Sequence, residues 1–270
     1  PAACKVGRMR LAVIIPTYNE RENLGMIVGR VRASVPDAVV VVVDDNSPDG
    51  TGALADEMAV ADDRVRVLHR AEKAGLGAAY REAMKWVLDQ GFGQVVQMDS
   101  DGSHLPEQMP RLLAALGDAD VVVGSRWVPG GAVENWPRRR RFLSKAGSTY
   151  ARLALGMKLK DMTGGYRAFT AEALRRLTYD EVESQGYCFQ IDMIWRASNA
   201  GLRIVEVPIT FVERVHGASK MTMDIVVEAM ARVTGWGIVS LPSRVTGRSR
   251  RSADQVDDAS SPANSQFSRS

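Results

Sequence analysis

Five consecutive valines, Val39 to Val43, run directly into a pair of aspartates, Asp44 and Asp45. A strand with one face in water alternates apolar and polar side chains, so an unbroken apolar run needs cover on both faces. The β-branched side chains favour the extended backbone, and Asp44-Asp45-Asn46-Ser47-Pro48-Asp49-Gly50 is dense in the turn residues that stop it. The signature recurs: Leu11 to Pro16, Val65 to His69, Gln94 to Met98 and Asp120 to Gly124 read as further short buried strands. Between them lie helical patterns from about Glu20 to Ser34, Thr51 to Val60, Gly75 to Gln90 and Leu105 to Leu116. Short apolar strands alternating with longer helices point to βαβ units. The expected fold is α/β, a mostly parallel central sheet with helices on both faces. Ligands of such sheets bind outside the carboxyl ends of the strands. Pro16 to Glu20, Asp44 to Asp49, His69-Arg70, Asp99 to Asp101 and Ser125-Arg126 all fall there, so the polar residues converge on one edge.

Beyond Gly131 the pattern loosens. Arg139 to Gly156 reads as a basic helix, Met162 to Ala168 as a Gly-rich loop, Tyr187 to Ala200 as a helix and Arg203 to Val207 as an added strand. Met221 to about Val239 reads as an amphipathic helix. Asp224, Glu228 and Arg232 form its polar row, and Ile225, Val226, Met230, Val233 and Trp236 its apolar surface. From Ser243 onward the composition is that of a disordered tail.

The net charge of +3 on 270 residues is too small to argue for nucleic acid. Charge is instead concentrated locally, in Arg138 to Arg141 followed by Lys145, Arg152, Lys158 and Lys160. Two cysteines, Cys4 and Cys188, make no disulfide framework and no zinc-ligand spacing, which fits a reducing, cytoplasmic setting. No uncharged run approaches the ~20 residues that a membrane span needs, and the first residues lack the apolar stretch of a signal peptide.

Asp99 and Asp101 stand two apart at a strand end, where alternation along an extended chain aims both side chains the same way. Two carboxylates aimed at one spot repel unless a cation lies between them, and hard oxygen ligands suit Mg²⁺ or Mn²⁺. The plainer alternative is a pair of solvated turn aspartates. Asp44 and Asp45 suit hydrogen bonds to a base or a ribose, or else Asp45, Asn46 or Ser47 caps the next helix. Trp136 and Phe142 read first as packing residues, and His69, His104 and His216 are scattered with nothing to mark them.

Taken in order, Val13 to Glu20, Val43 to Thr51, Lys73-Ala74-Gly75-Leu76-Gly77, Met98-Asp99-Ser100-Asp101 and Gly124-Ser125-Arg126 resemble the family 2 glycosyltransferases of GT-A fold. Asp161 to Arg167, Tyr187 to Asp192 and Arg214 to Lys220 are similar, more narrowly, to the dolichol-phosphate and polyprenol-phosphate mannose synthases. The resemblance covers about residues 10 to 230. It implies a Rossmann-like sheet followed by C-terminal amphipathic helices, in one domain over 10–240. A nucleotide-binding half (10–130) would precede an acceptor-binding half with interface helices (131–240), with a linker over 1–9 and the tail over 243–270. By position, it implies that Pro16, Tyr18, Glu20 and Asp45 bind the donor's guanosine, with Asp99 also near the nucleotide. Asp99 and Asp101 would hold Mg²⁺ or Mn²⁺; some relatives carry Gln where this chain has Ser103, a poorer third ligand. Arg126, Arg140 and Ser144 would hold the acceptor phosphate, and Arg214 and Lys220 would close over the donor diphosphate.

The implied reaction moves mannose from GDP-mannose to a polyprenol phosphate with inversion, a step in lipid-linked sugar and cell-envelope biosynthesis. The acceptor oxygen is already ionised near neutral pH, the second phosphate pKa being about 6, so no general base is required. A lipid acceptor implies work at the cytoplasmic face of a membrane. Peripheral docking would use the basic segment and the Met221 to Val239 helix, or a separate or fused membrane domain would hold the chain there. Core packing is the plainer role for that helix. Two other readings fit the same residues: a UDP-glucose-dependent polyprenol-phosphate glucosyltransferase, and a non-catalytic nucleotide-sugar-binding regulatory module.

Overall fold

The computed structural model describes residues 9–182, 184, 186–214 and 229–238. Lys220, most of the Met221 to Val239 helix, the first eight residues and the tail lie outside them. The valine run forms β2 (Val39–Asp44), and Val40 to Val43 are fully buried. Beside it lie β1 (Leu11–Thr17), β3 (Val65–His69) and β4 (Gln94–Gln97), in the order β3-β2-β1-β4 and all parallel. The helices between them are α1 (Arg21–Ser34), α2 (Thr51–Ala61) and α3 (Leu76–Asp89). Expected and observed boundaries differ here by a residue or two.

The second half of the chain completes the same sheet. After α4 (Met109–Ala115) come β5 (Val121–Ser125), the short β6 (Ala132–Glu134) and the basic helix α5 (Arg138–Ala154). They are followed by β7 (Arg167–Thr170), α6 (Ala171–Arg176), α7 (Gly186–Asn199), β8 (Ile204–Pro208) and β9 (Thr210–Val212). The sheet order is β3-β2-β1-β4-β7-β5-β8, and β6 pairs with β9 in a separate ribbon. The segment expected to be loop through Ala168 becomes strand at Arg167. β7 inserts antiparallel between β4 and β5, pairing Gln97 with Arg167 and Val122 with Ala168.

Residues of one strand alternate between two cores, as the pleat dictates. Ala12, Ile14, Val41 and Val43 face α3, α5, α6 and α7, whereas Val13, Ile15, Val40 and Val42 face α1, α2 and α4. Residues 229–238 are helical; Val233 is buried and the Trp236 ring stacks on Trp195 at 5.3 Å. Val233 and Trp236 thus pack against the body of the domain, while Met230 and Ile238 are exposed.

Candidate active site

The parallel strands deliver their carboxyl ends to one edge. Because β7 runs the other way, it brings its amino end there, and with it Thr163 and Gly165. A cleft of about 430 Å³ opens at this edge, lined by Pro16 at the end of β1, Tyr18 and Glu20 just beyond it, Asp45 after β2, Asp99 and Asp101 after β4, and Arg214 after β9. Lys73, Thr163, Gly165 and Gln190 line it too, and sequence reasoning assigned them no role. They come from a loop, a strand start and a helix whose places only the folded chain fixes. Lys73 Nζ lies 3.8 Å from the centroid of the Tyr18 ring, a cation–π contact at the β1 end of the cleft.

Asp45 is buried and already engaged. Its carboxylate accepts from the Arg70 guanidinium, from Ala74 N–H at 3.2 Å and from Gly75 N–H at 2.9 Å. It thus orders the loop that carries Lys73, and Gly75 there adopts φ 88°, a region that favours glycine. Asp44 accepts from Ser47 N–H at 3.2 Å and closes the turn. The capping role expected of Asp45, Asn46 or Ser47 falls instead to Asp49, which accepts from Thr51 N–H at 3.0 Å.

Asp99 is half-buried, and burial together with repulsion from Asp101 raises its pKa above the usual carboxylate range. Asp101 accepts from Ser103 N–H at 3.0 Å and lies 3.5 Å from Arg214 Nη1. His104, one of the three unmarked histidines, is buried beside the pair. Its Nδ1 accepts from Asp99 N–H at 3.0 Å, and its ring stacks on Tyr166 at 5.0 Å. Burial lowers its pKa against the pull of Asp99, so the ring is neutral with its proton on Nε2. The buried Ser103 does not line the cleft. Among the described residues no group of three or more His, Cys, Asp or Glu could hold a metal ion, so a cation at Asp99 and Asp101 would draw its other ligands from elsewhere.

Arg126, Arg140 and Ser144 stand behind this wall. Arg126 makes a bidentate pair with Asp161, both bonds 2.7 Å, and donates to Thr163 Oγ1 at 2.9 Å. Burial alone would raise the Asp161 pKa, but Arg126 holds it below the usual range. Arg167, fully buried nearby, is lowered by burial to about 9 and stays charged at neutral pH. Arg167 feels the Asp161 charge but spends its own hydrogen bonds on three carbonyls, while the Glu206 carboxylate accepts from the backbone N–H of Lys160 and of Asp161. On α5, Arg140 and Ser144 share the half-buried face that continues into the buried Ser148 and Ala151. Arg140 pairs with Glu213, next to Arg214, and stacks over Trp136 at 4.3 Å. Arg138, Arg139 and Arg141 point outward, and Phe142, expected to pack, is 73% exposed.

The sheet edge thus sets paired aspartates at the end of β4 on the cleft wall, with the Arg126–Asp161 pair buried behind them. The model of the family "Glycosyl transferase family 2" matches residues 12–178, and the chain belongs to this family. It is 56% identical over 240 residues to the polyprenol monophosphomannose synthase of Mycolicibacterium smegmatis, covering 88% of this chain and 91% of that protein. It is 55% identical over 232 residues to the undecaprenyl-phosphate mannosyltransferase of Micrococcus luteus, covering 86% and 96%. Among solved structures, glucosyl-3-phosphoglycerate synthase of Mycobacterium tuberculosis, crystallised with Mn²⁺, UDP and glucosyl-3-phosphoglycerate, superposes with TM-score 0.59 at 22% identity, covering 86% of this chain and 79% of that one. At that identity the likeness shows the shared fold. The chain is a glycosyltransferase, of mostly parallel α/β architecture, and no helix among its described residues is long and apolar enough to cross a membrane.

Proposed function

We propose that the protein transfers mannose from GDP-mannose to a polyprenol phosphate with inversion at the anomeric carbon, giving a polyprenyl β-mannosyl phosphate. The observation that carries this is the pair Asp99 and Asp101 on the wall of a cleft at the sheet edge, an acidic pair suited to a cation, with Arg214 beside Asp101 and the Arg126–Asp161 pair buried behind. The two curated relatives, by their names, support mannose and a polyprenol-type phosphate.

In this reading Pro16, Tyr18, Glu20 and Lys73 take the nucleoside, and Asp45 orders the loop beneath it. Asp99 and Asp101 fit a divalent cation, Mg²⁺ or Mn²⁺: they offer hard oxygens, and the repulsion between two carboxylates on one wall falls when a cation lies between them. Such a cation would neutralise charge on the departing diphosphate. Arg214 would pass from Asp101 to that diphosphate, with Lys220 following it in the chain. Arg126, fixed by Asp161, together with Arg140 and Ser144, would hold the acceptor phosphate. One of its ionised oxygens attacks C1 as the bond from C1 to the diphosphate breaks, and GDP leaves with the electron pair. The reaction needs no general base, because the attacking phosphate oxygen is already ionised. The outward arginines of α5, with Phe142 and Leu143 at 73% and 67% exposure, support peripheral docking at the cytoplasmic face of a membrane.

The deciding experiment offers radiolabelled GDP-mannose and UDP-glucose side by side with polyprenol phosphate and Mg²⁺ or Mn²⁺. Label from mannose in an organic-extractable, mild-acid-labile lipid is the expected result. Turnover of UDP-glucose alone would overturn the donor, and binding without transfer would overturn the reaction.

A further inference from the structure

Gln190 lies early in α7 and lines the cleft, yet its residue is only 3% exposed. Its backbone is pinned. Its carbonyl accepts from Arg167 Nη1 at 2.6 Å, and Arg167 is tied in turn to Gly164 O at 2.9 Å and Met162 O at 3.2 Å. The carboxamide has no such anchor: neither Oε1 nor Nε2 has a hydrogen-bond partner among the described residues. Burying both halves of an amide unpaired is costly, and a methionine would fill the same volume without that cost. The cost disappears when a ligand brings an acceptor and a donor together.

The position says which part of a ligand. Along the sheet the cleft runs from the ends of β2 and β1, past Asp99 at β4, to the start of β7. A Cβ placed on Gly165 would lie 3.6 Å from Gln190 Nε2, 3.7 Å from Asp99 Oδ1 and 3.5 Å from His104 Cε1. The amide and the diphosphate-side carboxylate thus border one small volume, kept open because residue 165 has no side chain. With the nucleoside at β1 and β2 and the diphosphate at Asp99 and Asp101, the next group across is the sugar. We infer that Gln190 recognises the donor's hexose, its N–H given to one hydroxyl and its carbonyl accepting from a neighbouring one. This rests on the nucleotide-sugar reading above.

The test compares the unsubstituted protein with Gln190→Met and, as control, Gln97→Met; Gln97 is equally buried and unpaired but lies off the cleft. Dissociation constants are measured calorimetrically, with Mg²⁺, for GDP and GDP-mannose and for UDP and UDP-glucose. For whichever pair binds, Gln190→Met is expected to weaken the sugar nucleotide about tenfold relative to its diphosphate, while the diphosphate's own Kd holds, the Tm stays level or rises, and Gln97→Met leaves the ratio unchanged. An unchanged ratio in Gln190→Met, or an equal shift in Gln97→Met, overturns the role of Gln190. Binding of the UDP pair alone overturns the GDP-mannose reading while the ratio still reports on Gln190. Binding of neither pair overturns both.

Discussion

Asp161 shows how much one buried carboxylate can carry. It accepts from the backbone N–H of Arg126 and of Gly164, each at 3.0 Å, and from two guanidinium nitrogens, all away from solvent. Asp161→Asn would leave the buried Arg126 without its counter-charge, a loss of about 3–5 kcal/mol for a buried pair broken on one side. Thermal unfolding should register it as a clear fall in Tm. The pH dependence has a definite sign. A carboxylate whose folded pKa is depressed contributes stability above its unfolded value, about 3.9, and that contribution fades as pH falls further through the folded value. The acid limb of the unfolding curve should therefore be steeper in the unsubstituted protein than in Asp161→Asn; parallel curves would remove Asp161 from the account. Asp101 is the contrasting case, since its work lies in the ligand rather than in the fold. Asp101→Ala should cut mannosyl transfer by about 10³-fold while Tm stays nearly constant, because the side chain sits on the cleft wall.

At the scale of elements, α5 divides its labour by face. Arg140 and Ser144 point inward and Arg139 outward, so one helix supplies its own control. Arg140→Ala should raise the KM for a short water-soluble polyprenol phosphate about tenfold or more, the worth of a charge-assisted hydrogen bond, while Arg139→Ala leaves it unchanged. Equal effects on the two arginines would mean that the acceptor phosphate is not read by a helix face at all. That Arg140 and Ser144 share a helix face follows from their i, i+4 spacing, though not that it turns inward, and the edge holding Asp45, Asp99 and Asp101 was legible from the apolar runs that end there. β7 was not. It opens with Arg167 behind three polar or glycine residues, and nothing local shows that three carbonyls, from Gly164, Gln190 and Met162, will gather to satisfy that guanidinium. Lys73, Thr163 and Gln190 escaped for the same reason: each reaches the cleft only through a tertiary contact. The histidines look alike in sequence, and only burial against Tyr166 and the Asp99 N–H sets His104 apart.

For the whole molecule the net charge of +3 hides an uneven surface. Arg138, Arg139, Arg141 and Lys145 are exposed together on α5, with Phe142 and Leu143 exposed among them. Each such cation is worth about 1 kcal/mol against an anionic bilayer, and the attraction decays within a Debye length of ~10 Å at 0.1 M salt. A lipid-phosphate acceptor, as proposed, would bring the reaction to such a surface, and the inward face of the same helix is where Arg140 and Ser144 stand. Docking by the outer face and acceptor binding by the inner face would then be one geometric event. Sedimentation with vesicles rich in phosphatidylglycerol should pull the protein down at 50 mM NaCl and release it near 0.5 M, while neutral phosphatidylcholine vesicles capture little. The double substitution Arg139→Ser, Arg141→Ser should weaken binding about tenfold or more. It should leave transfer to a short soluble acceptor intact, because both residues are exposed on the side of α5 away from Arg140 and Ser144. If the double variant still binds anionic vesicles as tightly as the unsubstituted protein, another part of the surface does the docking and α5 serves the acceptor phosphate alone.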